Sequence, residues 1–194
     1  MGTTLDAEAT EGVSVSELIS AMSEAIPIDD TSATKEVTVT QDQSLELAGG
    51  NASPEANMAA LKEQMCNEMR LVCNLFLVSS DRRMLADASG RRRLSSHSTF
   101  SLTMTLSAAD PLSGVAVDMG ALAAATGQNA ADLTSTATVS STSVAIKITQ
   151  QGELEAANEL MDTVMDENVF VVKAAANLGI SPNLVAVTEL PRAI

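Results

Sequence analysis

The chain has 194 residues, enough for one domain or two small ones, and 45% of them are hydrophobic. Its formal net charge of −14 argues against a nucleic-acid-binding protein, which needs clustered Lys and Arg, and against docking on an anionic membrane surface. Aromatic residues make up only 2%, so Ala, Val, Leu, Ile and ten Met residues must fill the core.

The first part of the chain predicts a flexible lead-in, a helix and a β-hairpin. Residues 1–12 are small and polar, and we expect them to be flexible. Apolar residues then recur at helical spacing over 13–27, with Ser14 or Ser16 as the helix cap. The stretch Glu36–Leu47 alternates apolar and polar residues, which predicts a hairpin with one buried face.

A second helix and an apolar segment follow the loop at 48–54. Helical spacing continues over Glu55–Met69. The segment Leu71–Val78 fits a strand or a continued helix, and its dense Val, Leu and Phe favour a buried strand. Residues 81–98 carry several arginines among Ala, Ser, Gly and Asp, which predicts an Arg-rich, exposed linker.

The two cysteines, Cys66 and Cys73, leave their redox state open. On one continuous helix they would lie about 10 Å apart, beyond the roughly 7 Å between Cα atoms that a disulfide spans. A bridge is therefore possible only if the helix ends between them. We favour two buried cysteines without a bridge, each acting as a small apolar residue.

The remainder of the chain predicts the order β-α-β-β-α-β. This is the split β-α-β, or ferredoxin-like, arrangement, in which an antiparallel sheet carries both helices on one face. The other face is rich in Ser and Thr, and we expect it to be solvated or covered by a partner. The predicted elements are a strand at Thr99–Leu106, a helix at Val115–Ala125, a hairpin at Thr136–Thr149 that turns near Ser140–Ser143, helical segments at 154–165 and Val169–Leu178, and a strand at Leu184–Leu190.

The two predicted hairpins align with each other, and GVSV at Gly12–Val15 matches GVAV at Gly114–Val117. We interpret this repeat as two related α+β modules, spanning 13–80 and 99–194. The first module lacks its first strand, so we expect a neighbouring chain to donate one. The alternatives are that Thr3–Ala9 supplies a poor strand in cis, or that the sequence is a piece of a longer protein.

The second module resembles a SEA domain, a ferredoxin-like module of cell-surface and secreted proteins. The resemblance is carried by its element order and by Ser143-Val144-Ala145-Ile146 in its central hairpin. It implies self-cleavage in many members, within a Gly-Ser-Val-Val-Val hairpin. Thr142 stands where the family has Gly, which argues against cleavage here, so Thr142 and Ser143 form a candidate vestigial self-cleavage hairpin.

Three short motifs mark candidate modification sites. Asn51-Ala52-Ser53 is a glycosylation sequon, meaningful only in a secreted protein and weakened by the proline that follows it. Ser95 follows an Arg-Arg-Leu sequence, as in substrates of basophilic kinases. The pair Arg92 and Arg93 is a candidate processing site for a protease.

We predict no catalytic, cofactor-binding or metal-binding residues. His97 is the only histidine and lies in the predicted linker. The acidic residues Asp162, Asp166 and Glu167 do not follow the spacing of a calcium-binding loop. No apolar run approaches the roughly 18 residues of a membrane-spanning helix, so we expect no direct membrane span.

These patterns predict a non-enzymatic structural or interaction protein of an extracellular or cell-surface assembly, such as a filament or matrix. Its partners would be other copies of itself or other proteins. The alternative is an accessory subunit of a large complex, including one in an organellar lumen, that docks through the Ser- and Thr-rich sheet face. A self-processing or hydrolytic enzyme ranks third.

Overall fold

The computed structural model describes residues 1–10, 12–26, 33–66, 70–86, 92–150 and 166–189. These residues form four helices and one six-stranded antiparallel sheet, which confirms the predicted α+β class. The helices are α1 (Val15–Ala25), α2 (Pro54–Met65), α3 (Met119–Thr126) and α4 (Glu167–Leu178). The strands are β1 (Gly2–Leu5), β2 (Ala33–Gly49), β3 (Cys73–Ala86), β4 (Arg92–Leu106), β5 (Leu133–Gln150) and β6 (Val185–Glu189), in the sheet order β3-β4-β2-β5-β1-β6.

The hairpin predicted at Glu36–Leu47 is wrong, because β2 is one uninterrupted strand. The amide nitrogen Nε2 of Gln41, a fully buried residue, donates to the carbonyl oxygen of Leu112 at 2.7 Å and to Oγ1 of Thr142 at 3.4 Å. The core thus accepts a polar side chain that the sequence pattern assigned to a turn, because its hydrogen bonds are made internally. The buried residues of β2 keep a single alternation throughout: Val39, Gln41, Gln43, Leu45 and Leu47.

The hairpin predicted at Thr136–Thr149 is likewise one strand, β5, in which the alternation changes phase. Before Ser141 the more buried residues occupy odd positions, beginning with Leu133, and after it they occupy even positions, including Val144 and Ile146. A change of phase by one residue is what a β-bulge produces. A turn breaks the alternation in the same way, so the pattern alone could not distinguish the two.

The chain divides into two compact units, and each is discontinuous in sequence. Unit 1 consists of Met1–Gln41, Leu106–Ser113 and Ser141–Ile194, and unit 2 of Asp42–Thr105 and Gly114–Ser140. The predicted module boundaries, 13–80 and 99–194, do not match these units. The sequence was misread because β2 and β5 are long enough to contribute one half to each unit.

Within the described residues, both units have the chain order β-α-β-β-α-β. Unit 1 runs β1-α1-β2 and then β5-α4-β6, with its strands in the sheet order β2-β5-β1-β6. Unit 2 runs β2-α2-β3-β4-α3-β5, with its strands in the sheet order β3-β4-β2-β5. When the strands of each unit are counted from its own first strand, the two sheets have the same order, so each unit is a split β-α-β arrangement.

The same type of loop connects the second helix of each unit to its last strand. α3 ends at Gly127 and α4 at Gly179, both left-handed with φ of 66° and 68°, and a short 3₁₀ turn then precedes the strand. The next N–H donates back into the helix in both cases, from Gln128 to the Ala123 carbonyl at 2.9 Å and from Ile180 to the Ala175 carbonyl at 3.0 Å. The two units thus have the same type of loop as well as the same topology.

The predicted lead-in and the missing first strand are both corrected by β1. This strand pairs antiparallel with β5 on one side and with β6 on the other. Thr3 and Leu5 are buried, and Thr3 lies opposite Val144. The segment therefore supplies its strand in cis, which removes the reason for expecting a donated one. Four residues are too few for alternation to reveal a strand in the sequence.

The predicted Arg-rich linker is wrong for residues 81–86 and 92–98, because these belong to a hairpin. β3 and β4 pair from Cys73 opposite Met104 to Ala86 opposite Arg92, with one register shift between Leu77 and Ser79. Charged and small residues occur in strands as well as in loops, so composition did not fix the backbone, and the predicted exposure is wrong for Ser96 and Ser98, which are buried. The strand predicted at Thr99–Leu106 is confirmed as the second part of β4.

Helix boundaries differ from prediction by more than two residues at two places. α2 ends at Met65, before the predicted end at Met69. α3 begins at Met119, because Oδ1 of Asp118 accepts the N–H groups of Gly120 and Ala121 at 2.9 and 3.0 Å and so caps the helix there. The helical segment predicted at 154–165 lies outside the described residues.

Ser14 is the N-cap of α1 and forms a reciprocal capping box with Glu17. Oγ of Ser14 accepts the Glu17 N–H at 3.2 Å, and Oε2 of Glu17 accepts the Ser14 N–H at 2.8 Å. The backbone hydrogen bond, with a second one from the Ser14 hydroxyl, lowers the pKa of the Glu17 carboxyl. The ionised carboxylate is therefore the form that stabilises the helix start.

Replacing Ser14 by Ala is expected to lower the free energy of unfolding by about 1 kcal/mol. Because the folded-state pKa of Glu17 is depressed, its contribution is present above the unfolded pKa and is lost as pH falls through the folded pKa. Urea denaturation between neutral and acidic pH should therefore show the wild-type advantage shrinking on acidification. Ser20→Ala, an exposed change within the same helix, should not reduce stability; an equal loss there would contradict the cap assignment.

Candidate interaction surface

A disulfide joins Cys66, the C-cap of α2, to Cys73, the first residue of β3, with a Cα–Cα distance of 5.5 Å. The prediction of two unbridged cysteines is wrong, and the condition stated for a bridge is met because α2 ends at Met65. The same junction is fastened by Nη1 of Arg70, which donates to the Thr105 carbonyl at 2.6 Å. The start of β3 is thus held covalently and by hydrogen bonds.

Replacing both cysteines by Ser is expected to lower the free energy of unfolding of unit 2 by about 2–3 kcal/mol, since the cross-link restricts the unfolded chain. Urea denaturation of the oxidised proteins measures this loss. Reduction with dithiothreitol should produce the same loss in the wild type and no change in the double variant. A wild type whose stability does not respond to reduction would contradict this account.

The segment Leu71–Val78, which we call the apolar edge, exposes large hydrophobic side chains on the outermost strand of the sheet order. Leu71 is 79% exposed and Phe76 is 62% exposed. The predicted strand is confirmed from Cys73 onward, but its predicted burial holds only for one face, where Leu75 is buried. Alternating residues of a strand point to opposite faces, so helix α2 covers only half of them.

Hydroxyl side chains line the same outer face of unit 2 beside the apolar edge. Exposure alternates along β4 and β5 as it does along β3, and one hydroxyl, Oγ1 of Thr103, donates to Oδ1 of Asp42 at 2.5 Å. The face thus combines a polar floor with an apolar border. Its half-buried or exposed residues include Thr99, Ser101, Thr103, Thr136, Thr138 and Ser140.

Asn51, the candidate glycosylation site, is exposed in the loop between β2 and α2. Its backbone N–H donates to Oε1 of Gln128 at 2.8 Å. Ser53 of the sequon is the N-cap of α2, since its Oγ accepts the Ala56 N–H at 3.2 Å, and Pro54 is the first helical residue. In the folded chain the sequon is therefore part of a helix start.

Thr142 and Ser143, the candidate self-cleavage residues, lie inside β5 opposite Leu5 and Thr4 of β1. Thr142 is fully buried, and its hydroxyl oxygen accepts from Gln41. The hairpin on which this assignment rested is absent, because the strand is continuous at both residues. Both residues therefore belong to the paired strands of the sheet, and Thr142 is also part of the core.

Arg92, Arg93 and Ser95, the candidate processing and phosphorylation residues, lie in the first part of β4. Their backbone partners in β3 are Ala86, Leu85 and Arg83. They were predicted to lie in an exposed basic linker, and the structure places them in a hairpin ladder instead. A protease that needs an extended substrate would first have to open this ladder.

The other chemistry-bearing residues of the described chain do not converge. Within the described ranges, no three His, Cys, Asp or Glu side chains lie close enough to hold a metal ion. Asp166 caps α4, since its Oδ1 accepts the Val169 N–H at 3.2 Å, and His97 is exposed on β4. A shallow depression of about 350 Å³ in unit 1 lies between α1 and Asn177, and Glu17 and Glu24 are its acidic residues.

The sequence missed Gln128, which binds the loop after β2. Its Oε1 accepts the N–H groups of Asn51 and Ala52, and its Nε2 donates to Oδ1 of Asn57 and to Oγ1 of Thr126. Nothing in the chain distinguishes this glutamine from an exposed one. Its role depends on loop residues that lie far away in sequence.

No known protein family, curated protein or solved structure matches the chain. The resemblance to a SEA domain therefore stays a prediction. In the part of the chain that the structure describes, no helix is long and apolar enough to cross a membrane.

Proposed function

We propose that this chain is a non-enzymatic interaction protein, a structural module of an extracellular or cell-surface assembly. The observation that carries the proposal is the apolar edge, where an outermost strand combines exposed Phe76 and Val78 with a sheet edge that no other strand of the described residues covers. Such an edge suits an extended segment of a protein partner, because backbone hydrogen bonds and apolar contacts form together. Exposed apolar clusters on soluble proteins commonly mark interaction sites.

The disulfide between Cys66 and Cys73 supports the extracellular assignment. Disulfides persist in oxidising compartments and are rare where cytosolic thiols are kept reduced. The net charge of −14 fits a protein that stays dissolved at high concentration except where specific contacts form. A filament or matrix is the kind of assembly that would use such contacts.

A second candidate is an accessory subunit of a large complex in an organellar lumen. It is favoured by the hydroxyl-lined outer face next to the apolar edge, which offers one extended docking surface. The two candidates differ in what they predict for the isolated chain, because a subunit would be recovered at a fixed stoichiometry with other proteins.

The test labels intact cells that produce the tagged full chain with a membrane-impermeant biotin reagent. We expect labelling without lysis, and a thiol-alkylation mass shift only after reduction, because Cys66 and Cys73 are bridged. A chain that is labelled only after lysis and carries two free thiols would contradict the proposal. Recovery from an organelle in a complex of fixed composition would instead support the second candidate.

A further inference from the structure

We infer that the partner of the apolar edge is a second copy of this chain, whose β3 pairs antiparallel with β3 across a two-fold axis beside Phe76. The inference deepens the proposed function and rests on it for the location of the binding surface. It adds the identity of the partner and the register of the contact.

The backbone direction at the apolar edge follows from one hydrogen bond. The Thr105 N–H of β4 donates to the Val72 carbonyl at 2.8 Å, so Val72 directs its carbonyl toward β4. Successive residues of a strand alternate this direction, and the ladder is regular from Cys73 to Leu77. Leu75 and Leu77 therefore direct their N–H and C=O groups away from β4, toward the side where the described sheet has no further strand.

A second β3 fits this edge in a definite register. Leu75 of one copy forms a hydrogen-bonded pair with Leu77 of the second copy, and the reverse pair forms on the other side of the axis. Phe76 then faces Phe76 of the second copy as a non-hydrogen-bonded pair, in which side chains come closest. Phe76 lies on the exposed outer face, where its large apolar surface is removed from water by an aromatic pair.

The local charge at the apolar edge allows a copy of this chain to be the occupant. A chain of net charge −14 repels its copies, but the segment Cys73–Ser80 carries no charged residue. Antiparallel pairing about Phe76 places this neutral segment against itself. It also keeps the two Asp81 carboxylates about 33 Å apart, at about 3.3 Å per residue.

Association through this edge is limited to two copies. The register shift between Leu77 and Ser79 leaves Val78 as a bulge, which limits the regular edge to a few residues. The strand at the opposite end of the sheet order, β6, has only five residues and ends at Glu189. An interface made from one edge on each copy is isologous, so this contact alone closes at two copies, and a filament or matrix would need a second contact surface to join such dimers.

Sedimentation equilibrium of the oxidised full chain over a range of concentrations tests the inference. We expect the mass to rise with concentration from that of one chain toward twice that value. Raising NaCl from about 20 mM to about 500 mM should strengthen association, so that the dimer forms at lower protein concentrations, because salt screens the repulsion between the chains. Phe76→Lys should weaken association at least tenfold. Val172→Lys is the matched control, since Val172 is 56% exposed on α4 and the charge change is the same, and it should associate like the wild type.

A cysteine at position 76 tests the register. In the proposed pair the two residues have Cα atoms about 4.5 Å apart, so Phe76→Cys should form an intermolecular disulfide on mild oxidation. Ser80→Cys should not, because the two equivalent positions lie about 26 Å apart along the paired strands. Cross-linking is read on a non-reducing gel, with unfolding curves confirming that each variant folds.

A chain that stays monomeric at every concentration and salt would overturn the inference, as would a dimer that Phe76→Lys leaves intact. Association that weakens with salt would also overturn it, because it would indicate contacts between opposite charges. A different result would contradict the proposed function, namely a chain with free thiols and an intracellular location. A surface-exposed, disulfide-bonded monomer would therefore reject the second copy and retain the interaction module.

Discussion

Replacing Phe100 by Ala is expected to lower the free energy of unfolding by about 3–5 kcal/mol. Phe100 is fully buried on β4 and lies opposite Leu77 in the β3 ladder. Truncating its ring leaves a cavity in a core that, around Phe100 in unit 2, otherwise consists of Leu, Met and smaller side chains. Such a core has few large neighbours that could move in to fill the space.

The control is the phenylalanine on the neighbouring strand. Phe76 is 62% exposed and lies opposite Ser101, the residue after Phe100. Phe76→Ala should change the stability of the single chain by no more than about 0.5 kcal/mol, since exposed positions tolerate truncation. Urea denaturation at low protein concentration measures both variants, and equal losses would show that burial on this hairpin has been misassigned.

Replacing Gly49 by Ala is expected to cost about 3 kcal/mol or more. Gly49 has φ of +95°, and a Cβ built on it would lie 2.0 Å from the Asp132 carbonyl oxygen. An L side chain is strained at this φ, and the overlap is with backbone that cannot rotate away. The loop must therefore move as a whole, and the hydrogen bond that the Gly49 carbonyl accepts from the Ser96 hydroxyl at 3.0 Å would be lost.

Gly127→Ala separates the two causes. Gly127 also has a positive φ, of +66°, but a Cβ there meets nothing within 4 Å. We expect a cost of about 1 kcal/mol from backbone conformation alone. The difference between the two variants, read from thermal or urea unfolding, isolates the close approach at Gly49. A Gly127→Ala loss as large as that of Gly49→Ala would refute the contribution of the overlap.

The interaction surface was only partly visible in the sequence. The apolar segment LVCNLFLV was recognised as a strand, and the Ser- and Thr-rich face was recognised as the uncovered one. That Phe76 points outward depends on which end of the sheet β3 occupies and on which face α2 covers. Neither is encoded near Phe76, since both follow from pairing with β4 and from packing within unit 2.

Local chemistry determined much of this protein from the sequence alone. Ser14 capped the predicted helix, the alternation at Thr99–Leu106 gave a strand, and the mixed pattern gave an α+β class, because each depends on neighbours within a few residues. Long-range pairing decided the rest. It made continuous strands of two predicted hairpins and formed β1 from four residues, since these strands pair with strands distant in the chain. The disulfide joins cysteines only seven residues apart, but it required α2 to end at Met65, which the helical spacing did not show.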